Sequence, residues 1–288
     1  MEDNQNSTAI LLVSCPDKVG IVAEMTKLFG KYNGNIINLE QHVDAEENMF
    51  FMRLEWQLEG FSITMEDFNI ELKKTAEEFN MNWEINYSRH RCRMAILVSK
   101  QAHCLYDILS RYESGEWNVE IPLVISNHRD LEPIVKRHGL EFHHIPISKE
   151  NKAEQEEKEI ALLREHNIDL IVLARYMQIL SAGLVDQYPN RIINIHHSFL
   201  PAFPGARPYH SAYERGVKII GATSHYVTTE LDAGPIIDQD VTRVSHTESI
   251  KDFVHKGKDL EKIVLARAIR LHLQNKILVC NNKTIVFK

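Results

Sequence analysis

The stretch Arg191-Ile-Ile-Asn-Ile-His-His-Ser-Phe-Leu-Pro201 sets two polar side chains inside an apolar run. Residues 192–197 have the length and composition of a short buried strand. Strand side chains alternate between faces, so Asn194 and His196 project together while His197 points the other way. An amide donor beside an imidazole suits a carbonyl that becomes an oxyanion, because the amide stabilises the developing charge and the imidazole donates or moves a proton. Downstream, Leu231-Asp-Ala-Gly-Pro235 supplies a carboxylate, Asp232, as base or as orienter of His196. The other use of Asn194 and His196 is to cap a strand end and satisfy buried backbone groups.

Around this stretch, strands and helices alternate. Residues 94–99, 119–126, 141–146 and 168–173 read as strands, and 102–112, 131–138 and 152–166 as helices. Further on, 219–226 and 236–241 are expected strands, 211–216 a short helix, 249–273 a long one, and 277–287 a hairpin turning at Asn281-Asn282. This order predicts an α/β domain of Rossmann-like type with a mostly parallel sheet, whose ligands sit beyond the carboxyl ends of the strands. Asn194 and His196 fall at such an end. The run Glu154-Gln-Glu-Glu-Lys-Glu159 reads as the solvent-facing side of its helix.

The period before residue 88 is different. Residues 8–15, 35–43, 48–58 and 82–87 read as strands, and 19–32 and 64–80 as amphipathic helices, the first with its stripe at Val22, Met25, Leu28 and Phe29. Strand, helix, strand, strand, helix, strand predicts a ferredoxin-like sandwich. The basic connection Tyr87-Ser-Arg-His-Arg-Cys-Arg93 marks the boundary, giving expected domains at 7–88 and 93–288.

The 288 residues are 44% hydrophobic, enough for two cores. A net charge of −7, from 33 Lys+Arg against 40 Asp+Glu, gives no electrostatic reason to bind nucleic acid or an anionic membrane, and points to a small ligand. The polar opening Met1-Glu-Asp-Asn-Gln-Asn-Ser shows no secretory pattern, and no apolar run has membrane-spanning length. Cys15, Cys92, Cys104 and Cys280 lack paired spacing and read as reduced thiols of a cytoplasmic protein. His196, His197, His210 and Asp232 are not expected to gather a metal, because adjacent strand residues diverge.

Cys15-Pro-Asp-Lys-Val-Gly-Ile-Val22 and Asn33-Gly-Asn-Ile36 resemble the start of an ACT domain. The resemblance implies an amino-acid effector held near Asp17, Gly20, Ile21, Asn33 and Asn35. Gly20 lets a ligand approach the backbone, and free amides at a helix start favour a carboxylate. The alternative is that Asp17 caps the helix and the module only mediates dimerisation.

Asn194-Ile-His196, Ser198-Phe-Leu-Pro201, His225 and Asp232-Ala-Gly234 resemble the core of the folate-dependent formyltransferases, as do Val124-Ile-Ser-Asn127 and Arg175-Tyr-Met-Gln-Ile-Leu-Ser181. That resemblance implies Asn194, His196 and Asp232 as the catalytic set. It implies Met177, Gln178, Ile179 and Leu180, with Leu231 and Gly234, as a pterin cradle acting largely through backbone groups. His225 either lines the site, steadies Asp232 or is packing.

One departure decides the expected reaction. The glycinamide ribonucleotide members carry a glycine-rich phosphate loop after the first strand, where this chain reads Ser99-Lys-Gln-Ala-His-Cys104. Without glycine, close backbone approach to a phosphate is obstructed. With the nucleotide acceptor site lost, water takes its place.

An ACT-like module joined to such a domain, with His196 to Phe203 and Gly205-Ala-Arg-Pro-Tyr-His210, is similar over nearly the whole chain to the formyltetrahydrofolate deformylase family. The resemblance implies hydrolysis of 10-formyltetrahydrofolate, formate supply for purine synthesis, and no cofactor besides the folate substrate. It also implies methionine and glycine as effectors and a homo-oligomer formed through the first module. The alternatives are a formyltransferase with another amine acceptor and a catalytically silent amino-acid or folate sensor. Intact Asn194, His196 and Asp232 speak against the silent one.

Overall fold

A computed structural model describes residues 7–202 and 208–288, and the chain divides into two compact units at Arg91/Cys92. The first contains β1 (Thr8–Pro16), α1 (Ile21–Lys31), β2 (Ile36–Asp44), β3 (Met49–Gln57), α2 (Met65–Phe79) and β4 (Asn82–Tyr87). Its antiparallel sheet runs β2-β3-β1-β4, the ferredoxin-like order the sequence predicts. Alternation along β1 sends Ala9, Leu11, Val13 and Cys15 to one face, where Phe50, Met52, Leu54 and Trp56 of β3 join them. Ile21, Met25 and Phe29 of α1 and Phe68 and Leu72 of α2 close this core, with the Phe29 and Trp56 rings 4.9 Å apart.

Both helices have identifiable starts. Thr64 caps α2 by accepting from the Asp67 amide at 3.1 Å, and Asn80 ends it in the left-handed region. α1 starts at Gly20, whose φ of 98° is strained for any side chain, and no side chain caps it. Asp17 therefore does not cap α1.

The second unit contains β5 (Cys92–Val98), α3 (His103–Glu113), β6 (Val119–Glu120), β7 (Leu123–Ser126), α4 (Glu132–Arg137), β8 (Glu141–His144) and α5 (Lys152–Glu165). It continues through β9 (Leu170–Ala174), α6 (Ala182–Val185), β10 (Ile192–His196), α7 (Pro208–Arg215), β11 (Ile219–Tyr226), β12 (Ile236–Arg243) and α8 (Ile250–Leu273). The sheet order is β12-β11-β10-β9-β5-β7-β8, parallel from β10 to β8 and antiparallel through β11 and β12. β9, buried at every residue, has the apolar run of a strand covered on both faces. No described helix is long and apolar enough to cross a membrane. The terminal hairpin, β13 (Ile277–Cys280) and β14 (Lys283–Val286), contributes Asn275–Cys280 and Ile285–Lys288 to the first unit. There the buried Arg53 Nε donates to the Asn275 carbonyl at 3.1 Å.

Two local expectations need correction. The strand expected over 119–126 divides into β6 and β7, with Ile121 and Pro122 between them, because proline has no N–H for the ladder. The acidic run of α5 is not wholly solvent-facing: Glu156 is 5% and Glu159 1% exposed, on the same face as Leu163. Both carboxylates serve the chain after β9. Glu156 Oε1 accepts from the Ser181 amide at 2.7 Å, and Glu159 Oε1 accepts from the Tyr176 hydroxyl at 2.6 Å.

Burial pushes the Glu159 carboxyl up to about 7, against the opposing Tyr176 hydrogen bond. A raised folded-state value means that its contribution to stability is full below the ordinary glutamate range and is lost as pH rises through about 7. Glu159→Gln should therefore flatten the fall in melting temperature between about pH 5 and about pH 8, gaining on the parent chain at the alkaline end. Parallel melting curves for the two proteins across that range would contradict this.

Candidate active site

β10 presents Asn194 and His196 at its carboxyl end, and the antiparallel register with β11 sets His225 opposite Asn194. The ring Nδ1 of His225 lies 2.9 Å from the Tyr226 carbonyl, which fixes the proton there. Its Nε2 then accepts from Asn194 Nδ2 at 3.2 Å. One amide hydrogen of Asn194 is thereby used and the second remains available.

Asp232 reaches this pair from the turn between β11 and β12. Its oxygens lie 3.2 Å from His196 Nδ1 and 3.7 Å from His225 Nε2. The turn depends on two backbone features. Asp232 itself has φ 54°, a left-handed conformation that Asp tolerates better than most side chains. Gly234 runs so close to the chain that an added Cβ would lie 1.8 Å from the Tyr226 carbonyl oxygen, and the Tyr226 amide donates to the Pro235 carbonyl at 2.9 Å. The segment after β10 is also pinned: Thr223 Oγ1 donates to the Ser198 carbonyl at 2.8 Å and accepts from the Leu200 amide at 3.0 Å.

The electrostatics follow from this packing. The His196 imidazole against Asp232, with the His225 ring next to it, outweighs partial burial and holds the Asp232 carboxyl far below the usual carboxylate range. A carboxylate so stabilised is a weak base and a strong orienter. With its Nδ1 against Asp232, His196 presents Nε2, which is buried and has no hydrogen-bond partner. An unpaired buried nitrogen aligned by a carboxylate is the arrangement of an acid-base imidazole.

The flanking segments have distinct environments. Met177, Ile179 and Leu231 are exposed at 51%, 57% and 62%, Gln178 is half-buried, and Leu180 packs into the core. Ser99 Oγ accepts from the Met177 amide at 3.0 Å and donates to Asn127 Oδ1 at 2.7 Å, tying together the ends of β5, β7 and β9. Sequence reasoning gave Ser99 no such role. His197 follows the end of β10, its ring edge-on to that of His196 with centroids 5.2 Å apart, and Tyr209 and His210 belong to α7. Phe203 and Gly205-Ala-Arg207 lie outside the described residues.

In the first unit, Gly20 begins α1 and Ile21 is in the core, while the Asp17 amide donates to the Asn48 carbonyl at 2.9 Å. Asn33 Nδ2 donates to the Gly60 carbonyl at 3.1 Å and Asn35 Nδ2 to Gln57 Oε1 at 2.6 Å. Both amides thus already have local work. Among the described residues, two groups have metal-ligand spacing: His103, Cys104 and Glu261, and Glu141, His143 and His166. Neither includes a residue of the His196 cluster.

Comparison with known proteins matches a formyl transferase family profile over residues 92–269 and an ACT domain profile over residues 9–55. A formyltetrahydrofolate deformylase of Synechocystis sp. is 56% identical over 98% of this chain and 99% of its own. The crystal structure of a formyltetrahydrofolate deformylase from Pseudomonas syringae pv. tomato superposes with a TM-score of 0.96 at 45% identity, covering 100% of this chain and 96% of that one. A glycinamide ribonucleotide transformylase from Symbiobacterium toebii covers 70% of this chain and 97% of its own, with a TM-score of 0.65 and 29% identity.

Gly234→Ala tests the turn. The added methyl group should displace the 232–235 segment and cost about 1–3 kcal/mol of stability. An unchanged melting temperature would show that the turn yields without consequence.

Proposed function

The chain belongs to the formyltetrahydrofolate deformylase family, and we propose that it hydrolyses 10-formyltetrahydrofolate to formate and tetrahydrofolate through Asn194, His196 and Asp232. The observation that carries these roles is the Asp232–His196 pair at 3.2 Å with the far ring nitrogen unpartnered. A water oxygen attacks the formyl carbon and its proton passes to His196 Nε2. The second Asn194 amide hydrogen donates to the carbonyl oxygen as it gains charge. The bond from carbon to the folate nitrogen then breaks, that nitrogen takes the proton back, and formate departs.

Asp232 fixes the ring and stabilises its charged form instead of removing the proton itself, because its conjugate acid is so strong. His225 is a positioning residue for Asn194 and Asp232. Backbone groups of residues 177–180 and 231–234 hold the pterin, with Met177, Ile179 and Leu231 giving its ring apolar cover. No cofactor takes part.

The first unit, matched by the ACT profile, is the regulatory and oligomerising module in this reading. Methionine and glycine are its effectors, bound where Gly20 opens the backbone at the start of α1, with Asp17, Ile21, Asn33 and Asn35 around them. The enzyme works in the cytoplasm as a homo-oligomer and supplies formate for purine synthesis.

Formate release from 10-formyltetrahydrofolate with no amine added is the direct test, and release only on addition of an amine acceptor would make the chain a transferase. Asn194→Ala, His196→Ala and Asp232→Asn should each lower kcat by about 10² to 10⁴ with the fold intact. Near-normal turnover in any of them removes that residue from the chemistry. Because the folded-state value of Asp232 is depressed, its ionised form persists as pH falls well below the usual carboxylate range. The kcat/KM profile should consequently show no limb from Asp232 above about pH 4, and a limb above that point that disappears altogether in Asp232→Asn would contradict this. Titration calorimetry of the full chain with methionine and glycine should give saturable heats, and two silent titrations would leave the first unit as a scaffold.

A further inference from the structure

A cavity of about 180 Å³ lies in the second unit at the strand ends, lined among others by Gln101, His103, Arg175, His197, Tyr209 and Lys258. At its wall, Glu261 of α8 is 1% exposed. Its carboxylate accepts from the Tyr209 hydroxyl at 2.7 Å, meets His103 Nε2 at 2.8 Å and has Arg175 Nε at 3.4 Å. Gly257 makes room for this arrangement, since a Cβ there would fall 2.1 Å from the Tyr209 ring. Burial alone would raise the Glu261 carboxyl; His103, Arg175 and Tyr209 together bring it below its ordinary value, so it is ionised.

Arg175 thus has its charge balanced while two of its nitrogens lack a hydrogen-bond acceptor. Nε and Nη1 are buried with no acceptor in hydrogen-bonding geometry, as is Nδ1 of His103. An unsatisfied buried donor costs about 1–3 kcal/mol. The residue also holds φ 64°, a conformation unfavourable by about 1–2 kcal/mol for a side chain of this kind. Strain and open donors on one residue at a cavity wall are the marks of a binding site. Lys258 adds a second positive charge among the lining residues, so the cavity as a whole favours an anion. Its volume admits a molecule of a few heavy atoms.

We propose that this cavity binds a small monocarboxylate, formate above all, with its oxygens accepting from Arg175 and with Lys258 supplying further positive charge. The choice of formate rests on the deformylase reading, which produces that anion at the end of the same strand: His197 lines the cavity and follows His196 directly. A carboxylate offers two oxygens in the plane of a guanidinium fork, a geometry that a spherical halide lacks.

Calorimetric titration of the full chain with sodium formate, in the absence of folate and against sodium chloride at matched ionic strength, tests this. The expected result is saturable millimolar binding that acetate competes for and chloride does not reproduce. Arg175→Met should weaken it by about tenfold. Lys258→Gln, at a half-buried site that should tolerate the change, should weaken it by about two- to fivefold. Absence of saturable binding, equal binding in both variants, or equal heats with chloride overturns the site. Formate release is measured on the same preparation. Release without formate binding removes the cavity site alone, whereas Arg175-dependent binding without release removes the deformylase reading and leaves a small-carboxylate site.

Discussion

The second unit turns on a single carboxylate shared by two imidazoles. Asp232 is only 19% exposed at its side chain, and its burial would favour the neutral acid if His196 and His225 were not beside it. Three separate pieces of chain must agree for that contact to exist: β10 carries His196, β11 carries His225 in register with Asn194, and the turn to β12 carries Asp232. Moving any of them by about an ångström would leave an ionised group part-buried without compensation. Gly234 is the residue that permits the agreement, because only an absent side chain lets the turn lie against the Tyr226 carbonyl.

Sheet topology explains why these polar groups collect where they do. β5, β7, β9 and β10 are parallel, so their carboxyl ends open on one edge, and Ser99, Asn127, Met177 and His196 all follow or terminate these strands. The hydroxyl of Ser99 links the first three ends through two hydrogen bonds. From below, Glu156 and Glu159 of α5 fix Ser181 and Tyr176. The segment between β9 and α6 is therefore held at both ends by side chains of other elements.

Much of this was legible in the amino-acid order. Alternating polarity in residues 192–197 put Asn194 and His196 on one face, and the structure gathers them with His225 and Asp232 in one polar cluster. Both fold types followed from periodicity, since strands flanked by helical stripes admit few arrangements. What remained hidden depended on distance in sequence. The Ser99 contacts span 28 and 78 residues, and no local pattern encodes them. Glu156 and Glu159 depart from the rule that a charged run is solvated, and only their helical spacing with Leu163 marks a buried face. The division at Pro122 follows from proline chemistry, which outweighs the continuity of the apolar run around it. Asn33 and Asn35 illustrate the opposite case, where a family motif has local structural uses in its own turn.

Met177, Ile179 and Leu231 present large apolar surfaces to water close to a polar cluster. A planar aromatic molecule covering these three side chains removes ordered solvent from both partners, so association must carry a negative heat-capacity change. The association enthalpy accordingly grows more favourable on warming while the entropic part shrinks, and the free energy of complex formation stays nearly level across the temperatures at which the protein is folded.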